Sequence, residues 1–272
     1  MLTNQIYNHL SNINSIRLNQ PINIAYDPTS SLFDKSLELI DWANFIDPQT
    51  LIDYQLPYYK NIISDGLNIS DQAANINYNS CIVLFHHQSY ARLKREDASI
   101  IDNTLQNYQK ICFSSYIQSL NLKKTSYLKY GIPNLNYTHH NEKDVILINL
   151  KNNKATSSIY TIIKNRFKYV DILTDKNLSL DSIYEIIGNY KVCIDLDNYY
   201  NLLVGCYCGA YGLTNIPSQD PCIVTVTDTN GIIKTINLLL DNYNTNNIDQ
   251  YISTNYAFDE FSQILKNYIY KI

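Results

Sequence analysis

The stretch 191–214, KVCIDLDNYYNLLVGCYCGAYGLT, constrains the fold of this chain more than any other. Val192, Cys193, Ile194 and Leu196 form an apolar run bounded by Tyr190 and Asp197. It is too short for a membrane span and predicts a strand covered on both faces, as in a parallel sheet. Asp197 and Asn198 offer side-chain oxygens to cap a helix over 199–208, and Gly209 stands where that helix would stop. Residues 212–215 read as the next strand. The polar loop between strand and helix falls at the carboxyl edge of the sheet. Open α/β sheets bind ligands at that edge, and the unsatisfied N–H groups of a helix start favour an anion such as a diphosphate.

The same beat fills the rest of the C-terminal half. Strands are expected at 145–150, 169–173 and 222–226, and helices at 157–167, 180–187 and 231–243. This is the grammar of a doubly wound parallel sheet with the strands near 145, 169 and 192 adjacent. A final helix over 258–272 carries Phe258, Phe261, Ile264, Leu265, Tyr268 and Ile272 on one stripe. The N-terminal half is less regular. It predicts strands at 22–26, 81–86, 111–114 and 125–130, and helices at 32–45, 51–63, 94–106 and 115–120. Gly131-Ile132-Pro133 and the polar run 134–143 mark a boundary. Two α/β units follow, 1–140 and 141–272, with a cleft between them.

With 272 residues and 45% hydrophobic content, the chain has material for two small lobes. Its richness in Asn, Ile, Lys and Tyr, 25 of the last, follows the codons of an AT-rich genome, viral or bacterial, so the tyrosines are not by themselves read as a binding surface. A net charge of −4 argues against a nucleic-acid binder, which needs a basic stripe. The N-terminal residues lack the pattern of a signal peptide and no run of eighteen apolar residues occurs, so no membrane span and a cytoplasmic location are expected. The six cysteines lie mostly in or beside apolar runs and read as buried thiols. Cys206-x-Cys208 lacks a second ligand pair, so no metal is expected. Neither a Walker loop nor a GxGxxG fingerprint is present.

The 191–214 stretch also resembles the nucleotide-sugar segment of GT-B glycosyltransferases of the family 4 (group 1) kind. Cys206, Tyr207, Cys208 and Gly209 match the "MACG" of their "EAMACGCPV" turn in register. The two glutamates spaced eight apart in many retaining members fall on Leu196 and Val204, with Asp195, Asp197 and Asn201 nearby. Tyr130-Gly131-Ile132-Pro133 is similar to the exit from the first GT-B lobe. The resemblance implies two Rossmann-like lobes with parallel sheets and flanking helices. It also implies a terminal helix that crosses back to the first lobe, and a first lobe smaller than usual by a strand or two.

Four places could carry chemistry. In Asn149–Ala155, NLKNNKA, Lys154 matches the family lysine that holds the donor diphosphate, while Asn149 stands in the place of its arginine; Lys151 is the other cation of the loop. Either lysine could neutralise a leaving group, or be an ordinary exposed loop residue. At Asp195, Asp197, Asn198, Tyr199, Tyr200 and Asn201, the first N–H groups of a helix would face a phosphate; the plain alternative is an ordinary cap. His86 and His87 end a strand, and alternation lets one face the cleft as general base for an acceptor hydroxyl, or simply pack. Arg92 and Arg95 could meet a phosphate or an anionic acceptor, or belong with Lys94, Glu96 and Asp97 to an exposed helix start.

The resemblance implies transfer of a sugar from a nucleotide-sugar donor, bound by residues 149–154, 195–201 and Gly209, to an unidentified acceptor. No cofactor is implied beyond the donor as substrate. A non-catalytic, degenerate module that binds a nucleotide or a partner on the same scaffold is the other reading, favoured by the missing glutamates and arginine.

Overall fold

The structure, a computed structural model, describes residues 21–27, 31–55, 60–63, 81–85, 108–113, 122–135, 140–150, 152–196, 198–244 and 247–271. Its first sheet comprises β1 (Ile22–Asp27), β2 (Ala43–Ile46), β3 (Lys60–Ile63), β4 (Cys81–Phe85), β5 (Gln109–Cys112) and β6 (Thr125–Tyr127). The short helices α1 (Leu32–Leu37) and α2 (Pro48–Asp53) lie between the early strands. All neighbours pair in parallel, in the order β2-β1-β3-β4-β5-β6.

Two expected helices are corrected here. The segment 32–45 is not one helix: α1 ends at Leu37 and β2 begins at Ala43, because residues 43–46 pair with residues 22–25 of β1. Strand pairing overrides the local helical period. The segment 51–63 fails as a helix for a reason visible in the sequence, since Pro57 would break its interior. Its end is β3, in the middle of the sheet. These two strands supply what the first lobe was expected to lack. The expected helices at 94–106 and 115–120 lie outside the described residues.

In the second half the apolar runs become strands as expected: β7 (Lys143–Ile148), β8 (Val170–Leu173), β9 (Tyr190–Ile194), β10 (Tyr211–Thr214) and β11 (Ile223–Thr225). The helices are α3 (Lys154–Lys164), α4 (Leu180–Ile187), α5 (Tyr199–Tyr207), α6 (Thr229–Asp241), α7 (Ile248–Asn255) and α8 (Phe258–Lys271). The sheet is parallel throughout, in the order β11-β10-β9-β7-β8. Pleating sends Ile146, Ile148 and Cys193 into one apolar layer with α4 and α5, and Val145, Leu147, Val192 and Ile194 into another with Ile159 and Ile163 of α3 and Ile232 and Ile236 of α6. A sheet clothed by helices on both faces is the doubly wound arrangement. Cys193, Cys206, Cys208 and Cys222 are free thiols buried in this half, and Cys112 is a free thiol buried on β5 of the first sheet.

The two sheets share one core at their junction. Phe33 of α1 meets Tyr200 of α5 at 5.3 Å, Tyr130 at 5.5 Å and Phe261 of α8 at 5.9 Å between ring centroids. Phe113 stacks on Tyr130 at 4.8 Å. The expected cleft is therefore closed at this point, because large rings from both halves bury each other. Helix α8 continues over the first sheet's helices and strands, where Trp42 Nε1 donates to Ser262 Oγ at 2.9 Å. Helix α7 was not read from the sequence; only Ile248 and Ile252 of its residues are buried, too few to make a stripe. No described helix is long and apolar enough to cross a membrane.

Candidate functional site

Strand β7 lies between β8 and β9. The chain leaves β7 for β8 on one side, then passes to β9 on the other, so the strand order reverses between β7 and β9. Crevices at such reversals, outside the carboxyl ends of the strands, are where open α/β sheets take ligands. Leu147 pairs with Ile194 across these two strands, so Asn149 and Asp195 leave neighbouring strand ends. The turns that follow start α3 and α5.

At the first turn, Asn149 is buried and its amide is committed: Oδ1 accepts from Asn153 N at 2.6 Å, and Nδ2 donates to Asn153 O at 3.2 Å and Ser157 Oγ at 3.1 Å. Asn153 caps the helix by accepting from Ala155 N at 2.8 Å. Helix α3 consequently begins three residues before the expected Ser157. Lys154 is its first residue, exposed, rather than a loop lysine. Its ammonium makes no hydrogen bond or ion pair among the described residues. Asn149, in the family arginine's place, holds the turn instead.

The second turn is more enclosed. Asp195 Oδ1 accepts from Asn198 N at 2.8 Å, Asp195 Oδ2 accepts from Asn201 Nδ2 at 2.8 Å, and Asn198 Oδ1 accepts from Tyr200 N at 3.0 Å. Asp195, Asn198 and Asn201 are 3%, 2% and 3% exposed. With Asn201 Nδ2 donating to Asp195, the amide oxygen of Asn201 faces the other way. Its Oδ1 is left buried with no partner among the described residues. A buried acceptor is costly to leave without a donor, so this oxygen suits a hydroxyl group as its partner.

Tyr199 and Tyr200 put their side chains elsewhere. Tyr200, fully buried, donates to Gly131 O at 3.3 Å. Tyr199 Oη lies 2.6 Å from Ser218 Oγ and donates to Asp220 on the β10–β11 loop. Asp220 also accepts from Tyr251 at 2.7 Å and from Tyr256 at 2.7 and 2.8 Å to its two oxygens. Burial, reinforced by the neighbouring carboxylate, raises the pKa of all three phenols, so they remain protonated donors.

The fold thus brings Asn149, Lys154, Asp195, Asn198, Tyr199, Tyr200 and Asn201 to one sheet edge. Gly209 does not join them. It follows the C-cap Cys208 in the left-handed region at φ +79°, at the opposite end of the nine-residue α5 from the capped start and beside Asn141. It serves the turn, not the crevice. Lys151, Asp197, His86, His87, Arg92 and Arg95 lie outside the described residues. Sequence reasoning missed Asp220, Tyr251 and Tyr256, because abundant tyrosine was put down to composition. The loop after β10 starts at the same carboxyl edge, but Asp220 sits in the turn that feeds the parallel strand β11, where Ile223 N donates to its carbonyl at 3.0 Å, so edge placement does not single it out.

No family model matches the chain, and no curated protein matches it in sequence. Among solved structures, Anabaena HepE in complex with UDP-glucose is similar with a TM-score of 0.58 at 9% identity, covering 92% of this chain and all (100%) of that one. The fold is GT-B-like. Two further structures are more distant. The accessory secretory proteins 1, 2 and 3 of Streptococcus pneumoniae give a TM-score of 0.45 at 9% identity, over 82% of this chain and 56% of that one. The glycotransferase of kitacinnamycin gives 0.47 at 7% identity, over 91% and 99%. At 9% identity the likeness to HepE is one of fold alone; the α3 and α5 starts lie at the reversal point of this chain's second sheet.

Proposed function

We propose that this chain is a glycosyltransferase-like protein of two lobes, 1–140 and 141–272, that binds a nucleotide-sugar donor where β7 and β9 end. The single observation that carries the reading is the start of α5. A helix N-terminus at the strand-order reversal, whose buried Asn201 Oδ1 has no donor among the described residues, suits a ligand that combines a diphosphate with hydroxyl groups. The likeness of fold to HepE, solved with UDP-glucose, supports that class of ligand. Lys154, and Lys151 in the preceding turn, would supply positive charge as the glycosidic bond breaks and the diphosphate leaves. Asp197 would join the same turn. Asn149 acts through the turn it holds. His86 or His87 would receive the acceptor's proton, with Arg92 and Arg95 on the acceptor side.

A second reading, a binding module without transfer, is favoured by a specific observation. Leu196 and Val204, where the resemblance implies glutamates, are 6% and 0% exposed and packed into the two apolar layers. These positions carry no carboxylate toward a ligand. Thermal melting against a panel of nucleotide sugars tests both readings, since a ligand at a hundred times its Kd adds about 2.7 kcal/mol. Stabilisation by a UDP- or other nucleotide-sugar, followed by release of the nucleoside diphosphate, is expected for the enzyme. Stabilisation without release favours the module, and a flat panel removes the donor site altogether.

A further inference from the structure

The chain passes between its two sheets at two places that lie side by side. Gly131-Ile132 leads out of the first sheet, and Tyr256-Ala257 leads from α7 into α8. Ile132 N donates to Tyr256 O at 2.8 Å, and Ile132 and Ala257 form a parallel bridge. The first passage has no room to spare, since a Cβ on Gly131 would lie 2.4 Å from Phe261 Cβ. Successive residues at the start of α5 hold one passage each. Tyr200 donates to Gly131 O at 3.3 Å, and Tyr199 shares the Asp220 carboxylate with Tyr256.

We propose that Asp220 is a positioning residue for the donor crevice: by holding Tyr199 and Tyr256 on one carboxylate, it makes the fit of the α5 start to a diphosphate depend on how the two sheets are set. The inference rests on the donor reading above. Hydrogen bonds to a charged acceptor are among the stronger ones, so the link transmits displacement rather than giving way. Tyr199 is the first helical residue of α5, and moving it moves the N–H groups that would face the phosphates. Coupling is reciprocal: a diphosphate that fits one setting of the sheets better draws the molecule toward it.

Two conservative variants separate this role from a structural one. Tyr256→Phe deletes one hydroxyl at the returning passage and keeps the ring. Tyr251→Phe deletes a hydroxyl bonded to the same carboxylate from within α7, five residues before the passage residue Tyr256. UDP is titrated by calorimetry into the full-length parent and both variants, well below their melting temperatures, with Tm measured in parallel. Both substitutions are expected to lower Tm to a similar extent. Only Tyr256→Phe is expected to weaken UDP binding, by roughly five- to tenfold, the lower part of the range of coupling between sites. Equal Kd values in all three proteins, or equal weakening by both substitutions, overturn the positioning role while leaving the donor reading intact. A parent chain that takes up no UDP removes the donor reading, and this inference with it.

Discussion

Lys154→Ala puts binding and stability on opposite signs. Lys154 is the first residue of α3, exposed, with its ammonium in no hydrogen bond or ion pair among the described residues. A cation there opposes the positive end of the helix dipole, at a cost of about 0.3–1 kcal/mol, and alanine is at least as good a helix former. Removing the charge should therefore raise Tm by roughly 1–3 °C in a chain of this size. If the ammonium meets a diphosphate, the same substitution removes a charge-assisted contact of roughly 1.5–3 kcal/mol, about ten- to a hundredfold in affinity. Calorimetric titration of UDP alongside a thermal melt reads both quantities from one preparation. An unchanged Kd with the expected rise in Tm would show Lys154 to be an ordinary surface cation. A fall in Tm would refute the helix-dipole argument. The expected pairing, firmer fold and weaker site, is the usual signature of a residue kept for binding.

Three other outcomes are expected. Asn141, buried, sits at φ +46° and donates to Tyr190 O at 2.6 Å and Cys208 O at 3.2 Å, so Asn141→Ala should cost about 2–4 kcal/mol in denaturant unfolding by stranding both carbonyls; a cost below 1 kcal/mol, on the order of a surface change, would contradict this. Burial first, then Asp171, pushes Tyr190 up from 10.0 to about 12, and burial likewise raises Tyr199, Tyr200, Tyr243, Tyr251 and Tyr256. The folded state thus keeps phenol protons that the unfolded chain releases near pH 10.0, and the resulting stability is present below that pH and lost as pH rises through about 12; Tm constant across this window would contradict it. Of the six cysteines, the five at 112, 193, 206, 208 and 222 are buried, with burial raising Cys112 to about 12, so a thiol reagent should label at most Cys81 until the chain unfolds; rapid labelling of more than one native thiol would be inconsistent with these layers.

The second sheet was legible because each of its strands is a short apolar run and each crossover helix brings its own cap. Ser179 before α4 and Asn198 before α5 stand where the sequence placed the helix starts. The first sheet was less so. Residues 43–46 become a strand only through pairing with β1, a contact that local periodicity does not contain. Pro57, by contrast, was in plain view and should have ended the helix read across it. In the crevice, spacing placed the α3 and α5 starts at one edge, but it could not foresee that Asn149 is consumed by its own turn. Nor could it join Tyr199 to Tyr251 of α7 and Tyr256 of the α7–α8 joint around Asp220, since these groups meet only in three dimensions.

The closing of the aromatic junction by Phe261 has a consequence for biosynthesis. Phe33, Phe113 and Tyr130 are made in the first half of the chain, yet one of the rings that covers them belongs to the last helix. At roughly 5–20 residues per second, the ribosome needs on the order of ten seconds or more to deliver that cover. For that interval the nascent first half presents an uncovered aromatic face, a surface suited to a chaperone before any ligand arrives.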